Sequence, residues 1–497
     1  MIKNIIANIV GRFWSILSNF LFIPLYIKFL GFESYAIISF TLIIAGLMSV
    51  LDAGLTATLS REFSRNDQSI KEKRRVFRSL ETSYFLIIIF ISIVIFFFSN
   101  SIASNWLNLS TISPERVSLF IKIIGFELGF QMLFRFYMGG ALGFEQQVKA
   151  NIFQIGWGIF RNGLVVIAIY FIPTLETFFI WQLLATIIFT LVMRLLLLNI
   201  LNGNYNFWLK PILEKEVFVK IWRFAGGMLL ISLVAAVNTQ MDKLIISKLL
   251  HIDTLGYYTL AVTLAMGILV LVGPISIAIL PRFTALYSKG NNKEAVELFK
   301  NANLLVSIMV FSFMANMIFY GNELIWVWTG SMELAKNASI FVPVLSISFA
   351  MLALGTIPFN IAIANGYTKL NNILGIISLL ITMPGYLIAT QYYGALGAAY
   401  IYCVVQTTTT LIFIYMINKK FLNISMIDLL IKKLILPFII SIFIAYGFTS
   451  IPQIYVESRI LTLAWIGIST LMTLIILTLA FIPLHSIKQL LQKTKPS

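Results

Sequence analysis

The residues best able to do chemistry are ionisable groups set inside long apolar runs. Six are basic, Arg12, Lys122, Arg135, Arg161, Arg194 and Lys243, and three are acidic, Asp52, Glu127 and Asp242. A charge at the centre of a bilayer costs about 2.5–3.5 kcal/mol on insertion scales, so such groups face a polar cavity or a partner. The basic members outnumber the acidic ones and concentrate in the first half. A cationic cavity selects an anionic ligand, and the planar guanidinium fork matches phosphate oxygens. Arg12, Arg135, Arg161 and Lys243 are the candidate anion-binding residues. Asp52, Glu127 and Asp242 are candidates for holding a coupling proton or sodium ion, and charge compensation is the alternative for each.

Polar neighbours extend these residues into stripes at helical spacing. Asn4, Asn8, Arg12, Ser15 and Asn19 share one face of the first span. Glu127, Gln131 and Arg135 do so in the fourth, and Asn151, Gln154, Gly158 and Arg161 in the fifth. Ser232, Ala235, Thr239 and Asp242 form the stripe of the seventh. Each fits the wall of a wet cavity. Structural pairing competes with that reading for Arg12 and Arg161, and it competes as Glu127–Arg135 and Asp242–Lys243. Arg194 and Lys122, near helix ends, read as snorkelling anchors.

These residues must be positioned by membrane-spanning helices. Of 497 residues, 59% are apolar and 11% charged, with a mean hydropathy of +0.92. A soluble domain carries roughly 25% charged residues, so an ordinary soluble enzyme and a disordered chain are both excluded. Apolar runs near 5–30, 36–58, 80–100, 117–138, 150–171, 177–199, 224–247, 256–280, 301–320, 338–361, 372–391, 394–417, 434–451 and 460–483 predict fourteen helices in an all-α polytopic membrane protein. No alternating strand segments suggest a barrel.

The net charge of +16 fits topology rather than nucleic acid, because 25 of the 36 basic residues fall on one side if the N-terminus is inside. The positive-inside rule then places both termini in the cytoplasm. The opening apolar run lacks a small-residue cleavage site and reads as a retained first helix. The lone Cys403 forms no internal disulfide, and His251 and His485 are too far apart for a metal site. No phosphate-binding Gly-rich loop and no credible Ser/His/Asp set is present, so no catalytic residue, metal or cofactor is assigned.

A shift of about 220 residues maps the first half onto the second. Lys28 to Ala36 falls on Lys248 to Gly256, Arg61 falls beside Arg282, and Gly143…Asn151 meets Gly366…Asn371. Six helices per copy make the repeats parallel. The expected organisation is an N-lobe at 1–200, a linker at 201–223, a C-lobe at 224–418, and two extra helices with a tail at 419–497. Parallel bundles of this kind suit alternating access around a cleft. Pro24, near the outer end of the first span, is the candidate hinge, with a static kink as the alternative.

Three features carry a family resemblance. The first is Pro24-Leu-Tyr-Ile-Lys-Phe-Leu-Gly31 with Glu33-Ser-Tyr35 and Leu51-Asp-Ala-Gly-Leu55. The second is Asp242-Lys-Leu-Ile-Ile246 with Gly256-Tyr-Tyr-Thr-Leu260. The third is the six-plus-six-plus-two layout. The chain resembles the Wzx-type lipid-linked oligosaccharide flippases. These are the polysaccharide-biosynthesis branch of the superfamily that also holds MATE drug exporters and the lipid II flippase. The resemblance implies a V-shaped, MATE-like fold in a bacterial inner membrane. It also implies movement of undecaprenyl-diphosphate-linked glycan units to the outer leaflet, with a proton or sodium gradient as the drive. Polysaccharide polymerase and assembly proteins are the partners it implies. It puts Arg12 and the Asp242–Lys243 pair on cavity-lining helices, whereas Arg135 and Arg161 come from the stripes alone. The rivals are the lipid II flippase, a MATE-like exporter and, last, a membrane glycan polymerase. The fourteen helices and basic spans disfavour the exporter. The outer loops near 101–116 and 321–337 lack the acid cluster that a polymerase needs.

Overall fold

Backbone polar groups buried in hydrocarbon must pair within their own segment. Helices are accordingly the regular structure throughout. The computed structural model describes residues 11, 14, 17, 18, 20–52, 54–65, 67–202, 215–451 and 458–482, of which 202 and 215–231 are described by backbone alone. The helices are α1 (Ile23–Leu30), α2 (Phe32–Met48), α3 (Leu55–Ser64), α4 (Ile70–Ser101), α5 (Pro114–Gly143), α6 (Gln147–Gly158), α7 (Val165–Phe171), α8 (Leu175–Asn202) and α9 (Lys215–Leu249). They continue with α10 (Ile252–Ser288), α11 (Asn292–Phe319), α12 (Gly321–Thr329), α13 (Met332–Ala338), α14 (Val342–Leu354), α15 (Thr356–Ala364), α16 (Lys369–Ile417), α17 (Leu436–Thr449) and α18 (Arg459–Phe481).

Eleven segments among the described residues are long and apolar enough to cross a membrane. The 54-residue segment Lys369–Leu422 holds two of the expected spans. Gly394 divides it with φ of 62° and ψ of −155°, a conformation that glycine adopts without a Cβ clash. The 35-residue α9 covers the expected seventh span. Residues 5–10, 12, 13, 15, 16 and 19 of the expected first span lie outside the described residues. Fourteen spans are therefore compatible with the structure.

The chain forms two compact units, Met1–Gly256 and Tyr257–Ser497. Helix α9, which the repeat counts as the start of the second copy, belongs to the first unit and packs on α2. Its helical backbone begins at Lys215, inside the expected linker, while 203–214 fall outside the described residues.

Within the first unit α5 is the central helix, flanked by α3, α4 and α8. Small residues permit this closeness. At Gly143 an added Cβ would come within 2.5 Å of the Ser60 carbonyl oxygen on α3. Within the second unit, α11 packs against α14, α17 and α18, and Leu304, Ile308 and Leu477 form a buried apolar cluster. The two extra helices are thus seated on α11. Outward-facing residues such as Phe97 and Phe443 are 76% and 70% exposed, as lipid-facing side chains should be.

The repeat is visible in local geometry. After α5, Glu145 N–H donates to Leu142 O and Gln146 N–H to Ala141 O, both at 3.0 Å. After α15, Gly366 N–H donates to Ile363 O at 3.0 Å and Tyr367 N–H to Ala362 O at 2.8 Å. The left-handed residue is Glu145 in one turn and Gly366 in the other, with φ of 57° and 65°.

Candidate functional site

The expected second span, 36–58, is not one helix. It ends in a 3₁₀ turn, Ser49–Asp52, and restarts as α3 after Gly54, whose φ is 74°. Asp52 lies at this break. Its Oδ1 accepts from the Thr56 hydroxyl at 2.5 Å and the Thr56 N–H at 3.4 Å, which partners one of the orphan amides at the start of α3. The Thr56 and Tyr84 hydroxyls are 2.9 Å apart, tying Asp52 to α4. Asp52 therefore has a structural task in addition to any coupling role.

The stripe on α5 leads to a second cluster. Glu127 Oε1 accepts from Arg161 Nε at 2.9 Å, Arg161 Nη2 at 2.8 Å and Gln131 Nε2 at 2.8 Å. Arg161 Nη1 donates to Asn162 Oδ1 at 3.2 Å, and the guanidinium carbon lies 5.3 Å from the Trp157 ring. Glu127 thus pairs with Arg161, not with the Arg135 of its own helix.

Arg161 lies in a π-helical segment, Ile159–Gly163, between α6 and α7. Such segments leave carbonyls without their usual partners. Three side chains take them here. Tyr26 Oη donates to Asn162 O at 2.6 Å, Trp181 Nε1 to Phe160 O at 2.9 Å and Gln182 Nε2 to Arg161 O at 3.1 Å. Nothing in the hydropathy pattern signals this segment. Two other stripe residues of this span face the first one. Gly158 lies against Trp14, and Asn151 lies against Gly11.

One turn beyond Gln131, Arg135 is exposed while Phe134 and Phe136 are buried. It has no hydrogen bond or ion pair among the described residues. Asp52 and Arg161, from two other elements, are the charges that act on it.

Arg194 corrects the snorkelling expectation. It is buried, its Nε donates to Glu81 Oε1 at 2.7 Å, and Tyr137 Oη donates to the same oxygen at 2.7 Å. Glu81 stands at the edge of an apolar run, where an acid reads as a helix boundary. Once Glu81 is included, Arg161, Arg194 and Lys243 each have an ion-paired carboxylate, and Arg135 has Asp52 as a more distant counter-charge. Lys122 Nζ lies 4.8 Å from the Phe96 ring centroid.

On α9, Lys243 Nζ donates to Thr239 O at 2.8 Å and lies 3.4 Å from Asp242 Oδ1. Asp242 is buried, whereas Ala235 and Thr239 of the same stripe are exposed. Arg12 lies outside the described residues. Pro24 stands in the first turn of α1, just past the helix break at Phe22, where its missing N–H costs nothing.

At the end of the first unit opposite α3, polar contacts bind three connections. Glu33 accepts from the backbone of Ser110 at 2.8 Å and of Thr111 at 3.0 Å, and from the Thr111 hydroxyl. Ser110 Oγ donates to Asp253 Oδ2 at 3.2 Å, and Trp106 Nε1 donates to Ser247 Oγ at 3.1 Å. Ile252 N–H donates to Asn108 O at 3.0 Å. The start of α2, the α4–α5 connection and the α9–α10 connection are joined here.

Comparison with known proteins agrees with this architecture. A Shigella flexneri protein named as a candidate O-antigen transporter is 22% identical over 403 residues, covering 80% of this chain and 93% of its own. The structure of the lipid II flippase MurJ in an inward closed conformation superposes with a TM-score of 0.74 at 15% identity, covering 97% of this chain and 99% of that one. An inward-facing multidrug MATE transporter superposes with a TM-score of 0.66 at 13% identity, covering 83% and 94%. The fold is therefore that of the MurJ and MATE transporters. The family described as polysaccharide biosynthesis protein matches residues 1–287, more than half of the chain. This multi-pass membrane protein belongs to the polysaccharide biosynthesis protein family.

Proposed function

We propose that this protein is a flippase for undecaprenyl-diphosphate-linked oligosaccharide repeat units. It carries them from the cytoplasmic to the outer leaflet of the bacterial inner membrane by alternating access. The observation that carries this reading is Arg135, an exposed guanidinium without a bonded partner among the described residues, on the central helix of the first unit. A diphosphate offers the paired oxygens that an arginine fork engages. Arg161 and Lys243 have carboxylate partners in this state. They serve the anion only if those pairs open during the cycle. Arg12 is the remaining candidate of the cationic set.

The positive-inside pattern supports cytoplasmic termini. In that orientation the contacts around Glu33, Ser110 and Asp253 lie on the outer side. Asp52, Glu127 and Asp242 are the candidates for gradient coupling. Asp52 is the foremost of them, because it has no ion pair within 4 Å among the described residues. The partners in this reading are the lipid-linked glycan, a proton or sodium ion, and the polymerase and assembly proteins that take the glycan onward.

The test is reconstitution. Purified protein in liposomes should move a fluorescent undecaprenyl-diphosphate-linked oligosaccharide between leaflets, and Arg135→Gln should slow it. Movement of lipid II in preference to the oligosaccharide would favour the rival flippase. Transport of cationic dyes alone would sink both.

A further inference from the structure

In the second unit, a short π-helical segment, Asp428–Ile435, leads into α17 and packs against α11. One line of exposed apolar residues runs along it at steps of four. Ile427, Ile431, Ile435, Ile439 and Phe443 continue the lipid-facing side of α17. Beside the start of this line are Lys432, Lys433 and, from α11, Lys300.

These lysines differ in how they are satisfied. Lys432 pairs with Asp428 at 2.6 Å, and Lys300 also acts on Asp428. Lys433 is half-buried, with no hydrogen bond or ion pair among the described residues. The charges acting on it are Lys300 and Lys432, both of its own sign. Glu294 and Glu297, on the same helix as Lys300, are exposed and not joined to Lys433. Three ammonium groups share the one carboxylate of Asp428, which is bonded to Lys432, so the half-buried Lys433 is unfavourable unless a further anion joins it. The adjoining apolar line places that anion at the edge of the hydrocarbon.

We propose that Lys433, with Lys300 and Lys432, binds the phosphate of an anionic phospholipid whose acyl chains lie along the Ile427–Phe443 line. The charge is complementary, and one residue line supplies both headgroup and tail contacts. This site is separate from the transport reading and does not depend on it.

The experiment is native mass spectrometry of the full chain released from mixed phosphatidylglycerol and phosphatidylcholine nanodiscs. The protein should retain phosphatidylglycerol preferentially. Lys433→Gln should lower the preference about fivefold, the contribution of one basic side chain near a membrane surface. Lys433→Arg should keep it, which separates lost charge from lost folding. The double variant Lys289→Gln/Lys293→Gln removes exposed charges at the α10–α11 turn and the start of α11 and should leave it unchanged. An unchanged preference in Lys433→Gln, or an equal fall in the double variant, would overturn the proposal. Inorganic diphosphate distinguishes the other source of phosphate. A Lys433-dependent thermal shift with diphosphate, without phosphatidylglycerol preference, would also overturn it.

Discussion

Arg161 directs two of its nitrogens at a single oxygen of Glu127, at 2.9 and 2.8 Å, from the π-helical segment between α6 and α7 to the central helix α5. Both side chains are largely buried. Removing one partner of such a pair strands a charge at a cost of about 3–5 kcal/mol, whereas replacing both with apolar groups is often neutral. Arg161→Ala and Glu127→Ala should each lower the melting temperature in detergent. Arg161→Met/Glu127→Met should restore most of the loss. Transport by the stable double variant would show that Arg161 acts structurally and not on substrate.

Arg135 should behave in the opposite way. It lacks a bonded partner to strand, so Arg135→Gln should leave the melting temperature close to that of the parent. A hydrogen bond to a charged group contributes about 1.5–3 kcal/mol. Glycan export should therefore fall by roughly ten- to a hundredfold. Surface glycan display, normalised to the amount of protein in the membrane, measures this. Full display would remove Arg135 from the substrate path.

The matched turns after α5 and α15 allow a paired test. Glu145 holds a left-handed conformation that costs an L-residue about 1–2 kcal/mol, and Gly366 holds its equivalent without that cost. Glu145→Gly should stabilise the protein, and Gly366→Ala should destabilise it. Thermal unfolding of both variants checks the sign. Equal shifts in the same direction would contradict the geometric equivalence.

The membrane fold was legible because hydropathy and charge read out the span pattern directly. The two turns were legible as well, through the constant offset between Gly143…Asn151 and Gly366…Asn371. What stayed hidden depends on a third dimension. Glu127 and Arg135 share a stripe, yet Glu127 pairs across to Arg161, a choice that no single-helix periodicity contains. Glu81 sits at the edge of a run, where an acid reads as a boundary, so the sequence shows no partner for Arg194. The break after Asp52 was hidden because one Gly in an apolar stretch does not by itself end a helix.

Asp52 offers the test of coupling. Asp52→Asn keeps an oxygen able to accept from Thr56, so α3 should remain seated and the protein should fold. If Asp52 exchanges a proton during transport, liposome assays of this variant should lose their response to an imposed pH gradient while downhill movement persists. A response equal to that of the parent would exclude Asp52.

The hydroxyl of Tyr26 grips the peptide oxygen of Asn162, next door to Arg161. Tyr26 rides on the short helix that opens with Pro24. Any swing of that helix must either pull the Asn162 peptide with it or release it. The irregular stretch around Arg161 is thus mechanically wired to the candidate pivot, so that motion at one end of the first span is felt as a change in how tightly a distant positive charge is tethered.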